Sequence, residues 1–204
     1  MNNLCRRVVW SFIVFGCLSL TVRGEDVADF MRIELAMSYV QGYGEIWDWK
    51  KANGYSSSED HGSDPIGPVI NTSFDFGNGF FVWGGLGPGF IIGDYFEITV
   101  LPVNLGAGYS FNPEGSISPY VKLGGRYMIA DGDYIGISTP GIQAAAGLQF
   151  RRQKLFGFFM EIGFDTSTIE MTNKNDPYRP METPSSTDTI MNGFNASVGL
   201  VVRP

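Results

Sequence analysis

The chain of 204 residues is poor in cysteine and histidine. Both cysteines, Cys5 and Cys17, lie in the first 24 residues, so the rest of the chain has no disulfide and no thiol chemistry. The one histidine, His61, stands among acidic and turn-forming residues at 59–64. A set of Ser, His and Asp can be read from these neighbours, but the fold usually brings the members of a catalytic triad together from separate places. We therefore interpret His61 as part of a solvated loop and expect no enzyme.

Lysine and arginine are scarce, and long apolar runs are absent beyond residue 24. Without Arg6, Arg7 and Arg23, the 14 basic residues fall to 11, against 21 Asp and Glu, which gives a net charge of −10. This balance argues against nucleic acid as a partner. A closed β-barrel is the only structure other than a helix that satisfies its backbone hydrogen bonds in lipid. A membrane-embedded form of this chain would therefore be a barrel.

The first 24 residues have the pattern of a secretory signal peptide. Arg6 and Arg7 precede an apolar run at 8–22, and Val22 and Gly24 occupy the −3 and −1 positions of a cleavage site. A membrane anchor needs about 20 apolar residues, and this run is shorter and interrupted by small and polar residues. Acylation of Cys17 after lipoprotein-type cleavage is the alternative. We expect a signal peptide at 1–24 and one mature domain at 25–204.

Three successive runs between residues 116 and 171 alternate apolar and polar residues with a period of two, which is the pattern of β-strands. The apolar face of the first run holds Ile117, Val121, Leu123, Tyr127 and Ile129. The opposite faces hold mostly Gly, Ala, Ser and Gln with isolated charges, whereas the wet face of a soluble sandwich is usually rich in Lys, Glu and Thr. This combination predicts the outward apolar band and narrow lumen of a transmembrane barrel.

Five further runs complete a set of eight predicted strands: 31–47, 68–76, 80–85, 94–111 and 189–203, beside 116–130, 140–151 and 156–171. The run at 94–111 changes phase after Val100, which predicts a bulge near Leu101-Pro102. The predicted connections at 50–67, 86–93, 131–139 and 172–188 are long, and those at 77–79, 112–115 and 152–155 are short. Outer-membrane barrels alternate in this way. The predicted fold class is therefore all-β, an eight-stranded antiparallel up-and-down transmembrane barrel.

Four motifs lie between residues 101 and 127: Leu101-Pro102-Val103-Asn104-Leu105, Tyr109-Ser110-Phe111, Pro119-Tyr120-Val121 and Gly124-Gly125-Arg126-Tyr127. Together they resemble the small eight-stranded outer-membrane barrels of the OmpW- and OmpA-like group. The resemblance implies a place in the outer membrane of a diderm bacterium after signal cleavage. It also implies contact with membrane lipid and lipopolysaccharide, insertion by the barrel-assembly machinery, and a small hydrophobic solute as a candidate partner. Members usually end in an aromatic residue, whereas this chain ends Val202-Arg203-Pro204.

Charged residues on the lumen side of the predicted strands are the candidate site. The interior of an eight-stranded barrel is just wide enough for side chains to fill it, so we expect these charges to pair with one another. The predicted lumen charge network comprises Arg32, Glu34, Lys122, Arg126, Glu161 and Asp165, with Asp75, Arg151 and Arg203 as further inward charges. A structural plug is favoured over a conducting gate.

Two other groups of residues have a structural interpretation. Asp131-Gly132-Asp133 offers only two carboxylates, too few for calcium, so we interpret it as a turn and expect no metal and no cofactor. Aromatic residues near strand ends are interpreted as membrane-interface girdles; they are Tyr39, Tyr43, Trp47, Trp49, Trp83, Tyr95, Tyr109, Phe111 and Tyr127.

The expected function is a non-enzymatic outer-membrane barrel that is structural in the envelope or passes small or hydrophobic solutes. The alternatives are a surface adhesin or lipid-binding barrel acting through loops 50–67 and 172–188, a lipid-modifying barrel enzyme, and a soluble periplasmic ligand-binding barrel.

Overall fold

The computed structural model describes residues 31–52, 66–92, 98–132, 135–150, 155–172 and 187–203. Within these ranges it has one helix and ten strands: β1 (Met31–Val40), α1 (Gln41–Ala52), β2 (Ile66–Asp75), β3 (Phe80–Leu86), β4 (Phe90–Ile92), β5 (Ile98–Ser110), β6 (Ile117–Gly132), β7 (Ile135–Thr139), β8 (Gly141–Phe150), β9 (Phe156–Thr172) and β10 (Thr187–Val202). Among the described residues, no helix has the length and apolar character needed to span a membrane.

Antiparallel pairing closes the strands into a barrel. The order β10-β1-β2-β3-β5-β6-β8-β9 returns to β10 through the pairing of β9 with β10. The short strand β4 pairs with β5 beyond the end of β3, and β7 pairs with β9 beyond the end of β8. These two strands therefore extend the wall without widening it, and the predicted eight-stranded antiparallel barrel is confirmed.

The predicted alternation of inward and outward side chains holds along the wall. On β6, Leu123 is 60% exposed and its neighbour Lys122 is 7% exposed. The same alternation continues on β8 and β9. The turns at 76–79 and 111–116 lie at one end of the barrel, called here the turn end, and α1 lies at the other, called here the helix end.

The predicted first strand at 31–47 is wrong in its second half, because β1 ends at Val40 and α1 begins at Gln41. The reason lies in a change of period. After Val40, the last residue of β1, the buried residues Tyr43, Ile46 and Trp49 follow at intervals of three, which places these three on one face of α1. The glycines at 42 and 44 continue the strand-like alternation by coincidence.

The predicted bulge at Leu101-Pro102 is also wrong. Strand β5 pairs with β6 in one continuous register from Ile98 to Ser110. The irregularity lies on the neighbouring strand: the register passes from Leu86 opposite Val103 to Phe90 opposite Val100, so residues 87–89 face only 101 and 102. Val100 faces inward and is 1% exposed. The change of phase therefore marks a lumen that becomes apolar at this height.

Two of the four predicted long loops contain strand. The predicted loop 86–93 includes β4, and the predicted loop 131–139 includes the end of β6 and all of β7. Short pairings such as these extend the wall and carry too few alternating residues to be read from sequence. Residues 53–65 and 173–186, most of the other two predicted loops, lie outside the described residues, as do the predicted signal peptide at 1–24, His61, Asp133 and residues 151–154, which include most of the predicted connection at 152–155.

Candidate functional site in the barrel lumen

The turn end of the lumen holds an aspartate between two guanidinium groups. Arg32 on β1 places Nη2 at 3.0 Å from Asp75 Oδ1, and Arg203 places Nη2 at 3.4 Å from Asp75 Oδ2. Arg32 Nη1 also donates a hydrogen bond of 2.5 Å to Gln149 Oε1, and its guanidinium lies 5.1 Å from the ring centroid of Phe81. We call Arg32, Asp75 and Arg203 the lower layer.

The middle of the lumen holds a lysine–glutamate pair. Lys122 Nζ lies 2.7 Å from Glu161 Oε2, and the Tyr120 hydroxyl donates a hydrogen bond of 2.9 Å to the same oxygen. The Lys122 ammonium also lies 4.4 Å from the ring centroid of Trp83. Strand β8 separates β6 from β9, and its Gly147 leaves room for these side chains, because a Cβ there would lie 2.5 Å from the Tyr120 hydroxyl. We call Tyr120, Lys122 and Glu161 the middle layer.

An arginine–aspartate pair forms the upper layer, next to the helix end. Arg126 Nη1 lies 2.6 Å from Asp165 Oδ2, and Arg126 Nε donates a hydrogen bond of 2.6 Å to Asn104 Oδ1. Asn104 Nδ2 donates to the carbonyl oxygen of Gly87 at 3.0 Å, and the Ser167 amide donates to Asp165 Oδ1 at 2.8 Å. The upper layer thus joins β5, β6 and β9, together with Gly87 just after β3, through buried polar contacts.

The six residues of the predicted charge network all lie on the lumen side, but they do not form one connected network. The structure brings Lys122 to Glu161 and Arg126 to Asp165. Arg32 pairs with Asp75, outside those six. Glu34 accepts a hydrogen bond of 3.3 Å from Asn71 Nδ2.

Sequence reasoning did not assign a lumen role to several uncharged residues that hold these charges. Phe81 and Trp83 contact lumen cations through their rings, and Asn104 and Gln149 accept hydrogen bonds from arginines. The alternation along β3 could have identified two of them, because Phe81 and Trp83 lie on the face opposite to the half-buried Val82. The girdle interpretation is wrong for Tyr43, Trp49 and Trp83, which are buried inside the barrel, whereas Tyr39, Tyr109, Phe111 and Tyr127 are exposed on the outer wall.

The helix end of the lumen is apolar. Four residues of β1 and α1 pack against six wall residues in one buried cluster, called here the apolar plug: Val40, Tyr43, Ile46, Trp49, Val100, Met128, Ile135, Ile169, Met171 and Ile190. Burial raises the pKa of the Tyr43 hydroxyl above its ordinary value, and this hydroxyl donates a hydrogen bond to the Pro88 carbonyl oxygen. Helix α1 therefore fills the barrel above the upper layer.

The described residues provide no cluster of three or more His, Cys, Asp or Glu side chains that could hold a metal ion. Asp131 lies exposed at the end of β6.

No protein-family model and no curated protein matches the chain. Solved structures do match. The outer membrane protein OprG from Pseudomonas aeruginosa aligns with a TM-score of 0.56 at 11% identity, covering 84% of this chain and 94% of OprG. The outer membrane protein AlkL, solved in lipid bilayers, aligns with a TM-score of 0.50 at 11% identity, covering 85% of this chain and 89% of AlkL. The chain therefore has the fold of the small eight-stranded outer-membrane barrels, as the motifs between residues 101 and 127 predict.

Proposed function

We propose that this chain is an exported, non-enzymatic barrel of the outer membrane whose lumen is a structural plug, and that its role is structural in the envelope. The observation that carries the proposal is the stack of three polar layers and one helix along the lumen. This arrangement supports an envelope-structural role over passage of solutes through the lumen.

The outer wall supports the membrane placement. On β9, the outward residues Phe156, Phe158, Met160, Ile162 and Phe164 are all exposed and apolar. The eight residue steps from first to last cover about 27 Å along a strand, or about 21 Å along the barrel axis at a tilt of about 40°. The apolar band of outer-membrane barrels is about 25 Å tall. An apolar surface of this height fits the hydrocarbon layer of that membrane.

The interior supports the plug. The Lys122–Glu161 and Arg126–Asp165 pairs are buried at separate heights, and both connect β6 with β9 across β8. Opening a path along the axis would separate these ions. Breaking one buried pair typically costs about 3–5 kcal/mol, because it leaves an uncompensated charge. The apolar plug would then still close the helix end.

Planar-bilayer recording of the folded protein tests this proposal. We expect no conductance steps from the wild type, and none from Glu161→Gln or Arg126→Gln. Glu45→Gln, on the exposed side of α1, is the matched control. If the wild type conducts, and Glu161→Gln changes its conductance while Glu45→Gln does not, the lumen is a conducting gate and the plug proposal is wrong.

A lipid-binding barrel is the second candidate, supported by a groove on the outer wall. Ala144 and Ala146 of β8 lie directly between Leu123 and Phe164 and between Val121 and Ile162. The two small side chains leave a groove of about 690 Å³ lined almost entirely by apolar atoms. Its position within the apolar band suits one acyl chain of a membrane lipid.

Filling the groove tests this second candidate. Ala144→Phe and Ala146→Phe should reduce the lipid adducts that survive in native mass spectrometry from detergent. Ala196→Phe, outside the groove on β10, should leave them unchanged. Equal retention by all three variants would reject the groove as a lipid site.

A further inference from the structure

A small internal cavity lies between the middle and upper layers. It is lined by Lys122 and Glu161 from the middle layer and by Arg126 from the upper layer. Its uncharged polar lining includes Ser38, Asn104 and Ser197, and also Asn71, Trp83, Gln143 and Asn195, which are called here the four uncharged side chains. Its volume of about 10 Å³ is about the least that holds one water molecule. We propose that this cavity binds one ordered water molecule, which hydrogen-bonds the four uncharged side chains and lies between the two ion pairs.

Four buried polar atoms support the proposal. Asn71 Oδ1, Gln143 Oε1, Trp83 Nε1 and Asn195 Nδ2 have no hydrogen-bond partner among the described residues. The four residues are only 2–4% exposed. Buried polar side-chain atoms without a partner are uncommon in native proteins. Four of them around one cavity indicate a shared ligand.

The chemistry of the four atoms selects water. Two of them, the amide oxygens of Asn71 and Gln143, accept hydrogen bonds, and the Trp83 indole and the Asn195 amide donate them. A water molecule donates two hydrogen bonds and accepts two, so it can satisfy all four. A cation would face Lys122 and Arg126, and an anion would face Glu161 and the two amide oxygens. Both ions are therefore disfavoured.

The sign of a stability change tests the proposal. Gln143→Met keeps most of the side-chain volume and removes the acceptor. If water binds Gln143, the variant leaves one donor hydrogen of the water without an acceptor, and the thermal midpoint of the barrel falls by a few degrees. If the cavity is dry, the variant removes an unpaired buried carbonyl and the midpoint rises, which would overturn the proposal. Ser73→Ala is the matched control, because Ser73 Oγ is buried without a hydrogen-bond partner in the part of the chain that the structure describes and does not line the cavity. The thermal midpoint of this variant should stay unchanged or rise.

A second measurement tests the proposal on the wild-type protein and so does not depend on whether a variant folds. In an NMR spectrum of the wild type in detergent micelles, the indole Hε1 of Trp83 should show a cross-peak with water, with the sign of a long-lived bound molecule. Absence of this cross-peak in the wild type would overturn the proposal on its own. In Gln143→Met the cross-peak should weaken or disappear.

Discussion

The two ends of the barrel have opposite polarity, and β9 shows the contrast within one strand. Toward the turn end, Phe158, Met160, Ile162 and Phe164 face outward while Glu161 and Asp165 face the lumen. Toward the helix end, Thr166, Thr168 and Glu170 face outward, and Ile169 and Met171 are buried in the apolar plug. The period of two continues without interruption, but the apolar face changes side at Phe164-Asp165.

This inversion indicates a change of surroundings along the wall. An apolar exterior around polar contents suits lipid, whereas a polar exterior around an apolar cluster is the arrangement of a water-soluble protein. On the proposed membrane placement, the helix-end section projects beyond the bilayer and has a hydrophobic core of its own. The interior of the turn-end section is filled by paired charges, and that of the helix-end section by apolar side chains.

The largest effect is expected from breaking a lumen pair. Asp165→Leu leaves Arg126 buried without its carboxylate, which should lower the free energy of unfolding by about 3–5 kcal/mol. Urea titration of the folded barrel in detergent measures this loss. Asp188→Asn, on the exposed part of β10, is the control, and its effect should stay within about 0.5 kcal/mol.

A double variant separates the unpaired charge from lost packing. Arg126→Met with Asp165→Leu removes both charges, and replacing a buried pair with apolar groups is often nearly neutral. The double variant should therefore be more stable than Asp165→Leu alone. If the double variant and Asp165→Leu are equally stable, the loss of unfolding free energy comes from packing and not from the unpaired charge.

Truncation within the apolar plug should have a smaller effect, confined to the helix end. Ile46→Ala removes a fully buried side chain of α1 and should cost about 2–5 kcal/mol through lost burial and the cavity left behind. The loss should appear as faster amide hydrogen exchange in α1 and at the helix end of β6 and β9, with protection at the turn end unchanged. Asp48→Ala, on the exposed face of α1, is the control. Uniform loss of protection over the whole barrel would contradict two separately held sections.

Two glycines, one in each section, should respond to alanine with opposite sign. A Cβ at Gly147 would lie 2.5 Å from the Tyr120 hydroxyl and 2.6 Å from the backbone oxygen of Met160, so Gly147→Ala should cost about 1–3 kcal/mol by overpacking. A Cβ at Gly44 in α1 would have no atom within 4 Å. Gly44→Ala should therefore stabilise the helix by about 0.5–1 kcal/mol. Urea titration of both variants tests this, and a loss for Gly44→Ala would mean that α1 packs more closely than its surroundings indicate.

The inversion also explains how far the sequence could predict this molecule. Strand number and the lumen side of Lys122 and Glu161 follow from the period of two, because that period is a property of the backbone. Helix α1 could not be read from alternation, since its buried face recurs every three residues and begins inside an apparent strand. The prediction assumed that the whole lumen is polar. The apolar Val100 therefore seemed to face outward, and a bulge was needed to explain the change of phase after it. The partner of Arg32 depends on which strands are neighbours, and closure of the barrel decides that.

A small effect that depends on pH is expected at Tyr43 in the apolar plug. At neutral pH, Tyr43→Phe removes the hydrogen bond to Pro88 and should cost about 1 kcal/mol. Burial raises the pKa of this hydroxyl in the folded barrel, so the unfolded chain, with a tyrosine pKa of about 10, ionises first. The stability that Tyr43 contributes is therefore complete below about pH 10 and decreases as the pH rises further. The Tyr43→Phe variant has no ionisable group at this position, so it does not show this decrease. The advantage of the wild type over Tyr43→Phe, measured by urea titration from pH 8 to 11, should shrink above pH 10; a constant advantage would mean that the hydroxyl ionises as readily in the folded barrel as in the unfolded chain.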